Sequence, residues 1–156
     1  VATSTAKGIC YALNIPLIAV NTLISLADAS KMERSPNTYY VPMIDARRME
    51  VYTAKYDAHF NPIIQPHARI MDESSSKELI DDNKGPVIIS GSGLRKCKSL
   101  LSFDNVIFRD EIEIKAENLI DPAFEKFQKQ EFEDLTYFRP FYLKAPNITT
   151  PKPILK

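Results

Sequence analysis

The two histidines, His59 and His67, are the first residues to consider for metal or acid–base chemistry. They are eight positions apart and lie on either side of a predicted turn. A helical zinc-protease site needs two histidines one helical turn apart with a glutamate between them, and this sequence has no such arrangement. We therefore expect no metal site, and we interpret both histidines as solvated or hydrogen-bonded loop residues.

Cys10 and the acidic pair Asp81-Asp82 are the next candidates for catalysis. Cys10 lies in a predicted helix near Lys7 but has no histidine close to it in sequence. A buried structural thiol is therefore favoured over a nucleophile. The acidic pair follows a predicted helix, and a solvated surface is favoured over a general acid–base pair. We expect no catalytic residue and no cofactor.

The stretch ISGSG, at 89–93, is a weak candidate for a nucleotide-binding loop. A strand that runs through Gly91, Ser92 and Gly93 into a helix can hold a phosphate with backbone N–H groups. The alternative is a tight connection from strand to helix, for which glycine is also suited. Two glycines alone favour this second interpretation.

The densest charged group consists of Asp45, Arg47, Arg48 and Glu50. It lies between an apolar run that ends at Ile44 and a second run rich in β-favouring residues. One interpretation is an active site. The favoured interpretation is a hairpin connection, held by an Asx turn at Asp45 and by an Arg–Glu pair, that is structural or docks a partner.

The elements around this connection predict a mixed sheet. The second run carries Met49 and Val51 on one face and Tyr52 and Tyr56 on the other, which is typical of a strand covered on both sides. Pro66 places a third strand, at 63–71, on the edge of the sheet.

The rest of this region predicts helices alternating with strands. Ser75 and Glu78 have capping-box spacing and predict the start of a helix. Buried strands are expected at 86–90 and 105–108, with a helix between them. A last helical region, at 116–127, is expected to divide at Asp121-Pro122.

This β-β-β-α-β-α-β-α order matches the ribonuclease-H-like lobe that is repeated in actin-like ATPases, an α/β fold with helices flanking a mixed sheet. We expect the lobe to span 37–134 and a returning tail to span 135–156. We assign residues 1–36 to the remainder of a first lobe with helix–strand–helix order, followed by a polar linker that includes Pro36.

The first helix, at 2–13, has two apolar or small faces. The first, Ala2, Ala6, Ile9 and Leu13, is expected to pack on a buried strand at 16–20. The second, Thr5, Gly8 and Ala12, has little bulk and would let another helix approach closely. We interpret this second stripe as a partner-binding surface. The alternative is packing against another segment of the same protein.

Composition limits the function classes. The chain has 156 residues with 20 basic and 20 acidic side chains, so it lacks the basic excess of a free-standing nucleic-acid binder. A local patch at Arg95, Lys96 and Lys98 leaves a transfer-RNA-binding module open as an alternative. The two cysteines form no disulfide framework, so we expect a reducing cytoplasm. No apolar run is long enough to cross a bilayer.

Two blocks of the sequence carry a family resemblance. TAKGICYALNIPLIAVNTLISLA, at 5–27, and MIDARRMEVYTAKYD, at 43–57, resemble the TsaB family, also called YeaZ. ISGSG in the middle and RPFYLK near the end, at 139–144, also fit. Members of that family begin with a strand run and a Gly-rich turn before the first helix seen here, so we expect this chain to correspond to their C-terminal two-thirds.

The resemblance implies an actin-like scaffold subunit without catalytic residues. In that family TsaB works with a related TsaD subunit and the ATPase TsaE to make N6-threonylcarbamoyladenosine at position 37 of tRNA. The implied partners are TsaD-like and TsaE-like subunits, with a second copy of the chain as an alternative. The implied tRNA contact is through the complex, and no membrane is involved. Older labels of relatives as glycoproteases, and the nucleotide-handling fold, keep a peptidase or nucleotide hydrolase as the alternative function.

Overall fold

The computed structural model describes residues 1–31, 36–80 and 85–144. Part of the predicted polar linker, the pair Asp81-Asp82 and the tail beyond 144 lie outside these residues. No helix in the described ranges combines the length and the apolar character required to span a membrane.

The described residues form one mixed sheet of five strands in the order β3-β2-β1-β4-β5. The strands are β1 (Tyr39–Asp45), β2 (Glu50–Tyr56), β3 (Pro62–Ile70), β4 (Val87–Ser90) and β5 (Val106–Arg109). The first three are antiparallel neighbours, whereas β4 is parallel to β1 and β5 is parallel to β4. The predicted hairpin, the edge position of the third strand and the two parallel crossovers are confirmed.

Five helices connect and flank these strands in the described part of the chain. They are α1 (Ala2–Leu13), α2 (Thr22–Ala29), α3 (Glu73–Ile80), α4 (Leu94–Cys97) and α5 (Ile120–Gln128). Short 3₁₀ helices lie at Lys98–Leu101 and Ala116–Leu119. Asn14 ends α1 in a left-handed conformation, and the side chain of Asn21 caps α2 by accepting from the Leu23 amide.

The core lies on both faces of the sheet, which confirms the prediction that β2 is covered on both sides. On one face, Val51 of β2 packs in a cluster with residues of α3 and α4, including Leu79 and Leu94. On the other face, Tyr56 packs with Leu23 and Ala27 of α2. The two faces of β2 are therefore covered by helices, one by α3 and α4 and the other by α2.

Several predicted details of local structure are wrong. The predicted strand at 16–20 is reduced to one bridge between Leu17 and Glu133, since no neighbouring strand among the described residues pairs with it. α3 begins at Glu73, and the carboxylate of Asp72, not the predicted Ser75, accepts at its N-terminus. Ser75 is instead buried and donates to the Ile70 carbonyl.

The C-terminal elements also differ from expectation. The strand predicted as buried at 105–108 forms at the sheet edge, where Ile107 remains 37% exposed. The helical region divides as expected, but between Leu119 and Ile120 rather than at Asp121-Pro122. α5 has no buried residue, although it contacts α2.

Candidate functional site

The charged connection between β1 and β2 is built by backbone hydrogen bonds. Asp45, the last residue of β1, accepts from the Arg47 amide at 2.7 Å, which is the Asx turn expected from the sequence. The Ala46 amide donates to the Glu50 carbonyl at 3.0 Å, and the Glu50 amide donates to the Arg47 carbonyl at 3.1 Å. These bonds fix the loop at both of its ends.

Arg47 and Arg48 occupy the left-handed region of backbone space, with φ of 70° and 48°. This conformation costs a non-glycine residue about 1–2 kcal/mol, and glycine or asparagine is the usual choice. Both arginines are exposed, and neither forms an ion pair within the described ranges. The fold therefore holds two guanidinium groups in solvent at a conformational cost.

Two lysines from distant parts of the chain support the same connection. Lys96 of α4 forms an ion pair with Asp45 and donates to the Glu50 carbonyl at 2.6 Å. Lys144 pairs with the Glu50 carboxylate at 2.6 Å. The expected Arg–Glu pair is therefore replaced by Lys144–Glu50. The Lys96 hydrogen bond, with a smaller contribution from the Arg47 amide, lowers the pKa of Asp45.

The loop Gly91-Ser92-Gly93 is tied to the end of β1. The Asp45 amide donates to Ser92 Oγ at 3.1 Å, and the Gly93 amide donates to the Met43 carbonyl at 2.9 Å. Gly91 has φ of +96°, and a Cβ there would lie 2.4 Å from the Met43 carbonyl oxygen. This geometry favours the tight strand-to-helix connection over a phosphate cradle, because an amide that a phosphate would need is already used.

The candidate catalytic residues lie apart. His59 is exposed in the turn after β2, whereas His67 lies on β3 with Nδ1 2.8 Å from the Gln65 carbonyl. Cys10 is buried in α1, where Sγ lies 3.6 Å from the Pro16 carbonyl. Burial raises the pKa of the Cys97 thiol. The described residues contain no group of three or more His, Cys, Asp or Glu side chains placed to hold a metal ion.

The small-residue stripe of α1 is open. Thr5, Gly8 and Ala12 are exposed, and a Cβ built on Gly8 would have no heavy atom within 4 Å. Ile9 is 50% and Leu13 64% exposed, so the prediction that they pack with Ala2 and Ala6 on 16–20 is wrong. These apolar residues lie along one side of the stripe, so this face of α1 is exposed and partly apolar.

The buried side of α1 faces the C-terminal segment. Lys7 Nζ donates to the Phe138 carbonyl at 3.1 Å and to the Thr136 carbonyl at 3.4 Å. A groove of about 730 Å³ lies between α1, residues 17–23 and residues 138–144. The sequence does not predict this groove, because it depends on how the tail returns to the helix.

The family of the chain follows from its sequence. A family model described as TsaD, tRNA N6-adenosine threonylcarbamoyltransferase, matches residues 1–151. The chain belongs to this TsaD family. A search of curated protein sequences found no significant match.

Solved structures with the same fold include YeaZ from Pseudomonas aeruginosa, with a TM-score of 0.73 and 20% identity over 91% of this chain. A second is an uncharacterized Pseudomonas aeruginosa protein described as similar to peptidase YeaZ, with a TM-score of 0.68 and 19% identity over 92% of this chain. The match spans 66% of the length of each of these proteins. This likeness to YeaZ confirms the α/β fold, a mixed sheet flanked by helices, that the TsaB/YeaZ resemblance implied.

Proposed function

We propose that this member of the TsaD family is a non-catalytic interaction subunit of the assembly that makes N6-threonylcarbamoyladenosine at position 37 of tRNA. Its partners would be a TsaD-like and a TsaE-like subunit in the cytoplasm. We assign the chain no chemistry of its own, because its two histidines and Cys10 lie on separate parts of the fold.

The exposed face of α1 is the observation that carries this proposal. Thr5, Gly8 and Ala12 leave a shallow channel along the helix, and Ile9 and Leu13 give it an apolar border on one side. Such a surface suits a second helix, because small residues allow the two backbones to approach closely while the border buries apolar area. We infer that the TsaD-like subunit docks a helix here.

The test replaces Gly8 with leucine and measures binding of the TsaD-like subunit from the same organism by isothermal titration. The channel would be filled, and overpacking at a close helix contact costs about 1–3 kcal/mol, or roughly ten- to a hundredfold in affinity. Because the position is open in this chain, folding should not suffer. The higher helix propensity of leucine should raise stability by about 0.5–1 kcal/mol.

Ser99→Leu is the matched control, because it adds the same side chain at an exposed position on another element. Self-association is measured in parallel by light scattering. Unchanged binding of the TsaD-like subunit by Gly8→Leu would contradict the docking assignment. Loss of self-association alone would assign the face to a second copy of this chain.

A further inference from the structure

Three exposed arginines lie at the end of the sheet where the parallel strands β1 and β4 terminate. Arg47 and Arg48 form the tip of the β1–β2 connection, and Arg95 lies in α4, which follows β4. The Lys96–Asp45 ion pair joins α4 to the start of this connection. In sheets of this type, ligands commonly bind outside the carboxyl ends of the strands. We call these three residues the arginine patch.

The acids beside the arginine patch already have other partners. Asp45 is paired with Lys96, and Glu50 is paired with Lys144. In the described part of the chain, none of the three arginines forms an ion pair. Their charges are therefore available to a ligand, and the neighbouring acids are each balanced by a lysine.

The two arginines at the tip are held ready for a ligand. The Asx turn at Asp45 and the hydrogen bonds between Ala46, Arg47 and Glu50 fix the backbone on both sides of them. Lys96 anchors this loop from α4. A loop that is fixed before binding loses less conformational freedom when its ligand arrives. Arginine at left-handed positions, where asparagine or glycine is easier, indicates that the side chain matters.

We propose that the arginine patch contacts phosphodiester groups of the tRNA backbone. The planar guanidinium group forms paired hydrogen bonds with phosphate oxygens, and contacts to phosphates position a nucleic acid without reading its sequence. A protein partner would instead be expected to bury an aromatic or aliphatic anchor. The tip itself carries no aromatic side chain; its one large apolar side chain is Met49, which is 39% exposed, and the exposed aromatic residues Tyr137, Phe141 and Tyr142 belong to the C-terminal segment.

The inference rests on the proposed function, which supplies the tRNA, and assigns this chain a direct share of the tRNA contact. It also replaces the basic patch considered from the sequence, Arg95, Lys96 and Lys98. Lys96 is bound to Asp45, and Lys98 is paired with Asp110. A neutral overall charge is compatible with this contact, because salt screens exposed charges more than about 8–10 Å away, so the nearby charges dominate the field at the patch.

The test measures binding of fluorescently labelled tRNA by anisotropy between 50 and 200 mM salt, with the full chain alone and with the TsaD-like subunit. Arg47→Asn with Arg48→Asn removes two charges and supplies a residue that accepts the left-handed conformation, so the fold should be preserved. We expect affinity to fall about tenfold at low salt and the slope of log K against log salt to decrease by about 1.5–2.

Three further variants keep the result decisive. Arg47→Lys with Arg48→Lys retains the charges and should keep the salt slope. Lys115→Gln with Lys129→Gln removes two charges near α5 and should leave the affinity within about twofold. Arg95→Gln should by itself lower the salt slope by about 1.

Equal tRNA affinity for wild type and the asparagine variant would overturn the proposal. So would an equal loss in the Lys115/Lys129 control, which would indicate a general charge effect. If the asparagine variant loses the TsaD-like subunit but keeps tRNA affinity, the arginine patch recognises an acidic protein surface. If wild type does not bind the TsaD-like subunit, the proposed function fails, and the titration with the chain alone still decides this inference.

Discussion

Tyr56 gives the sharpest test of the packing. Its ring is 1% exposed on the face of the sheet covered by α2. Its hydroxyl has no hydrogen-bond partner among the described residues. Burial raises the pKa of Tyr56 from 10.0 to about 12. Tyr56→Phe removes the hydroxyl and keeps the ring, so it isolates the effect of this one buried polar group.

At neutral pH we expect Tyr56→Phe to be as stable as wild type or more stable. An unpaired buried hydroxyl costs about 1–3 kcal/mol, which sets the upper limit of the gain. If the hydroxyl had a good hydrogen-bond partner, its removal would instead lower the free energy of unfolding by about 1 kcal/mol. Urea unfolding followed by circular dichroism distinguishes the two cases, and Tyr142→Phe, at a side chain 79% exposed, is the control.

The alkaline range provides a second, independent measurement. Because the folded pKa is above the unfolded value, the unfolded chain releases the proton first. Below pH 10 the tyrosine is neutral in both states and its titration does not affect stability; as the pH rises toward 12, the unfolded chain is favoured and the stability of wild type falls. With the value of about 12 for Tyr56, the stability of wild type should fall by about 1.4 kcal/mol at pH 11 relative to Tyr56→Phe. The hydroxyl would be shown to have a partner by two results together: Tyr56→Phe less stable than wild type by about 1 kcal/mol at pH 7, and no fall in the stability of wild type relative to Tyr56→Phe at pH 11.

Three other results are expected. Gly91→Ala should destabilise the chain by about 1–3 kcal/mol in denaturant titration, because its φ is +96° and the new Cβ meets a β1 carbonyl. The pKa of the Asp45 carboxyl, measured by NMR titration, should lie below 3.8 in wild type and closer to 3.8 in Lys96→Met, since the lysine favours the charged form. Replacing both histidines and Cys10 together should keep tRNA modification by the reconstituted assembly within a few-fold; a thousandfold loss with intact folding would reveal an active site in this chain.

The sheet could be predicted from the sequence because its signals are local. Alternating apolar residues, a short charged link and Pro66 define the hairpin and the edge strand. The short runs at 86–90 and 105–108, each preceded by a helical stretch, define the parallel strands. These features need only a few neighbouring residues to be recognised.

The support of the charged connection could not be predicted, because it depends on tertiary structure. Lys96 and Lys144 reach Asp45 and Glu50 from 51 and 94 positions away. From neighbouring residues alone, an Arg–Glu pair within the turn was predicted. In the structure both arginines have left-handed backbone conformations, and Glu50 pairs with Lys144 instead. Two neighbouring side chains, Asp72 and Ser75, could each cap α3. The Asp72 carboxylate does so by accepting from the Ser75 amide, although Ser75 has capping-box spacing.

The C-terminal segment links the two surfaces to which we assign binding. At one end, Lys7 of α1 donates to the carbonyls of Thr136 and Phe138. At the other, Lys144 binds Glu50 next to the arginine patch. The same segment thus holds α1 and the charged connection in a fixed arrangement, with the partner face of α1 directed away from the segment. Under the proposed function, this arrangement lets one subunit without chemistry of its own position a protein partner and the tRNA backbone relative to each other.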